Sequence, residues 1–366
     1  MAKLSPREHP AARLLIRMKT GDNTSSGRLL AKLLRGSWRE ALPALDISAD
    51  ELDQSAPLLL GSGAAALVWR RVRATELRAS GASLELQQAY RLQAIHAAVY
   101  EHDLKRAFHA LRSNGIEPLL IKGWAVAQSY PERGLRPLGD MDLCVAPREY
   151  DGARLVLEEL NDNESPIDLH RGLSKLDDRS WDELFARSQQ LPLFESSVRV
   201  LAPEDHLRIL SVHMLKHGAW RPLWLCDVAA ALESRPANFD WKRCLGNRRR
   251  ASWVACALML AHRLLGAELD GTPSAVREAQ LPGWLVAAVL KQWAAPFTPS
   301  YYRMPMADAL RYRKGLLAAL KSRWPNPVEA TVHLRAPFNE WPRWPFQFGS
   351  SFLRAAEFTR HLRKSS

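Results

Sequence analysis

Residues 115–145 read GIEPLLIKGWAVAQSYPERGLRPLGDMDLCV, and residues 166–170 read PIDLH. Two short apolar runs, Pro118 to Ile121 and Met141 to Val145, enclose a segment that begins Lys122-Gly123. Asp140 and Asp142 stand two residues apart at the head of the second run. A third carboxylate, Asp168, lies in the run Ile167 to Leu169. In a strand, side chains at i and i+2 share a face. A strand over Met141 to Val145 therefore projects Asp140 and Asp142 together from its entrance. Two like charges held that close repel and call for a cation between them. Oxygen ligands of this kind suit Mg²⁺, which takes one or two carboxylates and otherwise keeps water and substrate phosphates.

Upstream, Leu84 to Ser113 carries the clearest helical pattern. Leu92, Ile95, Val99, Phe108 and Leu111 recur at mixed three- and four-residue steps, with slippage in the middle. Asn114-Gly115 stops it. The spacing predicts a short helix over Trp124 to Tyr130, broken by Pro131 and Gly134. A second is expected over Pro147 to Leu160, with proline in its first turn and Tyr150, Ala153, Leu157 and Leu160 along one side. Asn161 to Ser165 reads as a loop, and Pro166 opens the third strand. The order helix, strand, helix, strand, helix, strand is α/β or α+β in class, with a small sheet covered by helices; with the helical flanks the expectation is α+β, mostly helical overall.

The flanks read as helical. In residues 1–82, Ala11 to Met18 and Leu29 to Leu34 are separated by a Gly-Asp-Asn-Thr-Ser-Ser-Gly breaker at 21–27. Ser48 and Asp50 sit at cap-like positions before Leu52, and Ala64 to Val72 follows. From Trp181 onward the chain is expected to be helical throughout: Glu204 to Gly218, Leu223 to Glu233, Ser252 to Leu265, Trp284 to Trp293 and Met306 to Ser322. The tail rich in Trp and Pro, from Trp324 to Pro345, is expected to wrap irregularly before a basic helix over Phe352 to Lys364. The division that follows is 1–82, 83–180, 181–270 and 271–366.

Composition narrows the function classes. The four cysteines, Cys144, Cys226, Cys244 and Cys256, form no CxxC pair and no His-flanked ligand spacing. That argues against a zinc site or a disulfide framework and for a reducing compartment. Lys3, Arg7 and Arg13 precede no long apolar run, so no signal peptide is expected. The most apolar window, Trp253 to Ala261, is too short for a bilayer. The reading is cytoplasmic. A net charge of +12 fits a solvated basic surface as well as attraction to anions. Basic clusters occur at Arg248-Arg249-Arg250 and at Arg311 to Lys314. Zinc-finger, RRM and basic-zipper signatures are missing, so nucleic acid is an allowed partner but not the favoured one.

The ordered set Lys122-Gly123, Tyr130, Arg136, Asp140-Met141-Asp142-Leu143, Asp168-x-His170 and then His213, Lys216, His217 and Asp227 resembles the DNA polymerase β-like nucleotidyltransferase superfamily. More closely it resembles the group of bacterial proteins called the uncharacterised nucleotidyltransferase family. The likeness covers roughly residues 84–235, and the tail is also similar. Three features depart from the superfamily pattern: Gly123-Trp124 stands in place of Gly-Gly or Gly-Ser, the gap from Gly123 to Asp140 is somewhat longer, and the segment from Leu160 to Pro166 is short.

The resemblance implies a small mixed-sheet nucleotidyltransferase core with helical regions on both sides, moving a nucleoside monophosphate from an NTP, expected to be ATP, to an acceptor. Asp140, Asp142 and Asp168 would be catalytic and would hold Mg²⁺, two ions in all. Asp168 would complete the second site or take the acceptor's proton. Lys122, Gly123, Arg136, Lys216, His217 and Asp227 would bind the nucleotide, with phosphate at the helix start after Gly123. The acceptor would bear a hydroxyl on a small molecule, peptide or protein, and relatives near lasso-peptide and other natural-product genes make tailoring a candidate role. Two other readings stay open: a toxin-like adenylyltransferase acting on protein or tRNA, and a non-catalytic nucleotide-binding module. His213, on an apolar helix face, reads as a core histidine. Lys216, His217 and Asp227 read equally as a structural link between two helices, and Cys144 as a small strand hydrophobe.

Overall fold

The computed structural model describes residues 24–160, 166–173, 176, 178–296 and 324–365. The expected helices at Ala11 to Met18 and Met306 to Ser322, the loop Asn161 to Ser165 and the basic cluster Arg311 to Lys314 lie outside the described residues.

The N-terminal region folds as α1 (Ser25–Leu34), α2 (Ala49–Ser62) and α3 (Ala65–Val72), followed by a turn of 3-10 helix at Glu76–Ala79. α1 begins inside the expected breaker. Its Gly27 lies so close to the Leu290 carbonyl that a Cβ there would stand 2.2 Å from the oxygen, so the glycine serves packing and not a turn. α2 starts on a full capping box: the Ser48 hydroxyl accepts from the Glu51 amide and the Glu51 carboxylate accepts from the Ser48 amide. α3 turns two buried arginines onto the preceding loop. Arg70 donates to the carbonyls of Arg39 and Glu40, and Arg71 to those of Leu33 and Pro43.

α4 (Ser83–Ser113) is about 46 Å long at 1.5 Å per residue. Its N-terminal part packs with α2 and α3, and its C-terminal part covers the sheet through Tyr100, Leu104, Phe108 and Leu111. Leu92 and Ile95, two of the residues that make up the repeat, are exposed. The slippage in the repeat falls where the helix passes from one core to the other.

The sheet has five strands in the order β3-β2-β1-β5-β4. β1 (Leu119–Leu120) leads through α5 (Trp124–Ala127) to β2 (Met141–Val145). α6 (Tyr150–Glu158) leads to β3 (Ile167–Arg171). β2 runs antiparallel to β1 and parallel to β3. α5 is one turn, shorter than expected, and α6 starts after Pro147 and not at it. β2 is buried along its length. Met141, Leu143 and Val145 face α4, while Cys144 packs on the other side with Leu119, Ile121 and Ile209.

The expectation of helix alone after Trp181 is corrected. α7 (Trp181–Arg187) is followed by a hairpin, β4 (Gln189–Leu193) and β5 (Ser196–Val200), with β5 parallel to β1. β4 is an edge strand, where Pro192 costs no ladder bond, and Val198 and Val200 alternate inward.

The chain then forms α8 (Pro203–Lys216), α9 (Pro222–Glu233), α10 (Trp241–Leu245), α11 (Arg248–Leu265), α12 (Ser274–Arg277) and α13 (Gly283–Trp293). Residues of α8 to α13 share one apolar core with α1 to α3 and with Val126, Tyr130 and Leu135. The tail is more ordered than expected. α14 (Pro327–His333) and α15 (Trp344–Ser365) both start with proline in the first turn, where no amide is needed. Trp253 and Trp293 donate their indole N–H groups to the carbonyls of Ala336 and Ala219.

Part of the basic excess lies inside. Arg208, fully buried, and Arg250 both bond Asp178, while Arg179 and Arg243 pair with the buried Asp205. These arginines join the segment after β3 to α8, α10 and α11. No described helix is long and apolar enough to cross a membrane.

Candidate active site

The parallel register of β2 and β3 sets Asp142 opposite Asp168 and Cys144 opposite His170. His170 Nε2 stands 3.1 Å from Asp142 Oδ1 and 3.3 Å from Asp168 Oδ2. Lys122 Nζ lies 2.7 Å from the same Asp142 oxygen. It is brought there because the Ile121 amide bonds the Asp142 carbonyl and carries the chain after β1 along β2. Gly123 then turns into α5 with φ 62°, a conformation that favours glycine. One donor atom each from Asp142, Asp168 and His170 falls within a 4.8 Å cluster. Burial pushes the Asp142 carboxyl up. The His170 hydrogen bond and the Lys122 ammonium outweigh it and hold the group below the ordinary aspartate range. Asp140 is exposed at the entrance of β2, outside this cluster, and its carbonyl accepts from Tyr100 Oη at 3.5 Å. Burial pushes the Cys144 thiol up to about 12, consistent with a packing role.

A cavity of about 270 Å³ opens beside these groups. The sheet side contributes Lys122, Gly123, Arg136, Asp140 and Asp142. The helical side contributes Leu210 and His213 from α8, Arg221 just before α9, and Trp224 and Asp227 from it. Arg136 is held by Asp227 through two hydrogen bonds, at 3.2 and 3.0 Å, and Asp227 also accepts from Tyr130 Oη at 2.8 Å. Burial disfavours the Arg136 charge. Asp227 outweighs that and raises its pKa. Arg221 differs: Nε donates to the Ser62 carbonyl at 2.7 Å, and no carboxylate pairs with it among the described residues. Burial, and then the Arg136 charge, lower it to about 10. Its guanidinium carbon lies 6.0 Å from the centre of the Trp224 ring. Trp224 is the hub of an aromatic cluster, 4.9 Å from His213, 5.3 Å from His217 and 5.1 Å from Trp220 between ring centres.

Six of the sequence-predicted residues, Lys122, Gly123, Arg136, Asp140, Asp142 and Asp227, therefore line one cavity, and Asp168 joins them through His170. Lys216 and His217 do not line it. Both are exposed at the end of α8, and the His217 ring packs on His213 and Trp224. Asp227 fixes Arg136 and Tyr130 and not Lys216. His213, read as a core residue, is half-buried on the cavity wall. The single turn of α5 is no helix of useful length for phosphate. Sequence reasoning missed Arg221 and Trp224. Their signal was present: Arg221, Trp224 and Asp227 follow each other at three-residue steps around Pro222, a helix-start marker.

A family model described as an uncharacterised nucleotidyltransferase matches residues 58–161 and 159–266 of the chain. Among solved structures, the crystal structure of an antigenic nucleotidyltransferase-like protein from Paracoccidioides brasiliensis aligns with 51% of this chain and 93% of its own, at 15% identity and a TM-score of 0.35. No curated protein matches.

Proposed function

Because the chain belongs to the uncharacterised nucleotidyltransferase family, whose model spans more than half of it, we propose that it is a Mg²⁺-dependent enzyme moving a nucleoside monophosphate from an NTP to a hydroxyl-bearing acceptor. The observation that carries this reading is the opposed pair Asp142 and Asp168, bridged by His170, beside a cavity that also holds Lys122 and Arg221. Two carboxylates fit Mg²⁺, and an imidazole bonded to both is the kind of outer contact that orients metal-binding carboxylates. Asp140, exposed on the same wall, is the further carboxylate for a second ion. Mg²⁺ bound there would neutralise charge developing on the α-phosphate and the leaving pyrophosphate.

The chain's own groups divide the rest. Lys122 keeps Asp142 ionised and stands ready to bond a phosphate oxygen. Arg221, a half-buried cation with no carboxylate partner among the described residues, is the group an anionic ligand would satisfy best. Trp224 offers an aromatic face for the base. Arg136 is neutralised by Asp227, so its part is to hold the wall between sheet and helices and to lend its edge to the ligand. Asp168, whose side chain is 53% exposed, is placed at the open edge to receive the acceptor's proton. ATP is the first nucleotide to try.

The test is release of pyrophosphate by purified protein with Mg²⁺ and each of the common NTPs, with an Asp140→Ala plus Asp142→Ala control. Metal-dependent release lost in the control supports the transfer. Release that persists in the control refutes these carboxylates as its site.

A further inference from the structure

A second cavity, also of about 270 Å³, lies on the other side of the segment Leu138-Gly139-Asp140 and shares those three residues with the first. Its remaining walls are His96, Val99 and Tyr100 of α4 and Pro166 at the entrance of β3. The Pro166 carbonyl accepts from the Met141 amide at 2.7 Å, so this cavity sits at the mouth of the strand pair that carries Asp142 and Asp168. The partition is thin. A side chain at Gly139 would enter open space, with nothing within 4 Å of its Cβ. The walls are apolar at Val99, Leu138 and Pro166 and polar at His96, Asp140 and the Tyr100 hydroxyl, which already donates to the Asp140 carbonyl.

The same face of α4 continues outward. Leu92, Ile95, His96 and Val99 fall at i, i+3, i+4 and i+7, one side of a helix. Leu92 is 55% and Ile95 62% exposed, although their spacing is that of a buried face. Two large aliphatic side chains in water lead into a cavity with an apolar wall and end beside Asp140.

We infer that this second cavity is the acceptor subsite and that it takes an apolar alcohol, with the aliphatic body along Leu92, Ile95 and Val99 and the hydroxyl beside Asp140. The inference rests on the nucleotidyl-transfer reading for its chemistry. The acceptor oxygen forms a bond to the α-phosphorus while the bond from that phosphorus to the α,β-bridging oxygen breaks. Pyrophosphate leaves with the electron pair, and the hydroxyl proton passes to Asp168 and from it to water. The product is a nucleoside monophosphate ester of the alcohol.

Saturation-transfer NMR with n-hexanol and with glycerol reads the subsite without catalysis. Wild type should transfer saturation to n-hexanol and not to glycerol. Val99→Trp, which fills the cavity, should abolish the signal. Leu92→Ser plus Ile95→Ser, a surface change that leaves the core intact, should weaken hexanol binding about fivefold. Glycerol binding as strongly as hexanol, or hexanol binding unchanged in the double-serine variant, overturns the inference. A parallel assay with labelled ATP separates the two claims. Transfer to glycerol but not to hexanol sinks the apolar subsite alone. A hexanol signal that obeys the variants, with no turnover of any NTP, sinks the transferase reading and leaves the apolar site standing.

Discussion

Asp142 and Asp168 stand in register across the parallel strands β2 and β3, and one nitrogen, His170 Nε2, reaches both at 3.1 and 3.3 Å. The pair is asymmetric. Asp142 is 5% exposed and also bonded to Lys122, while Asp168 faces the open edge. Asp142→Asn should therefore lower kcat by about 100-fold or more, since it removes a charge fixed for the transition state. His170→Ala should keep both carboxylates but loosen them, moving the Mg²⁺ midpoint of activity up by about 10–100-fold. A metal titration of the two variants distinguishes these outcomes.

The Arg136–Asp227 pair predicts a structural phenotype. Asp227 is 1% exposed and carries both Arg136 and Tyr130 across ninety-odd residues of sequence. Asp227→Asn leaves a buried guanidinium without its charge partner and should cost about 3–5 kcal/mol. Urea unfolding reads this directly. Arg136→Met added to Asp227→Asn should recover part of the loss, because the stranded charge is gone.

Trp224→Ala removes the aromatic face of the cavity proposed for the nucleotide. Affinity for the nucleotide should fall by about 1–3 kcal/mol, with the carboxylate cluster untouched. Titration with a Mg²⁺-bound non-hydrolysable ATP analogue checks it. Equal binding by wild type and variant would move the base elsewhere.

Acid sensitivity should come in part from Glu233. Burial pushes its carboxyl up, but hydrogen bonds from Arg39, the Glu268 amide and Trp38 outweigh burial and hold it below its ordinary value of 4.5. A lowered folded value means that the unfolded chain binds the proton more readily. The contribution is then full above the unfolded value and is lost as pH falls through the folded one. Unfolding midpoints between pH 7 and pH 3 should drop less steeply for Glu233→Gln than for wild type.

The sequence was readable where local chemistry sets the structure. The apolar run Met141 to Val145 became a fully buried strand, and the cap-like Ser48 became the N-cap of a helix. The alternation rule put the aspartates at one strand entrance. It could not say that only Asp142 turns into the Lys122–His170 cluster while Asp140 stays in solvent, since that depends on what packs above the sheet. The hairpin of β4 and β5 escaped because Pro192 reads as a breaker, and only the edge position makes it harmless. Leu92 and Ile95 carry the repeat and yet are exposed, because periodicity reports a face and not what covers it. Arg221 and Trp224 became site residues only when α9 folded back over the strand ends.

The most direct test follows the two halves of one nucleotide. Purified protein, Mg²⁺ and n-hexanol or another acceptor alcohol are incubated with ATP labelled at the α-phosphate or at the γ-phosphate. Nucleotidyl transfer predicts α-label in the product and γ-label in pyrophosphate, both lost in Asp142→Asn. γ-Label in the product, or an unchanged pattern in Asp142→Asn, would contradict the account at its centre.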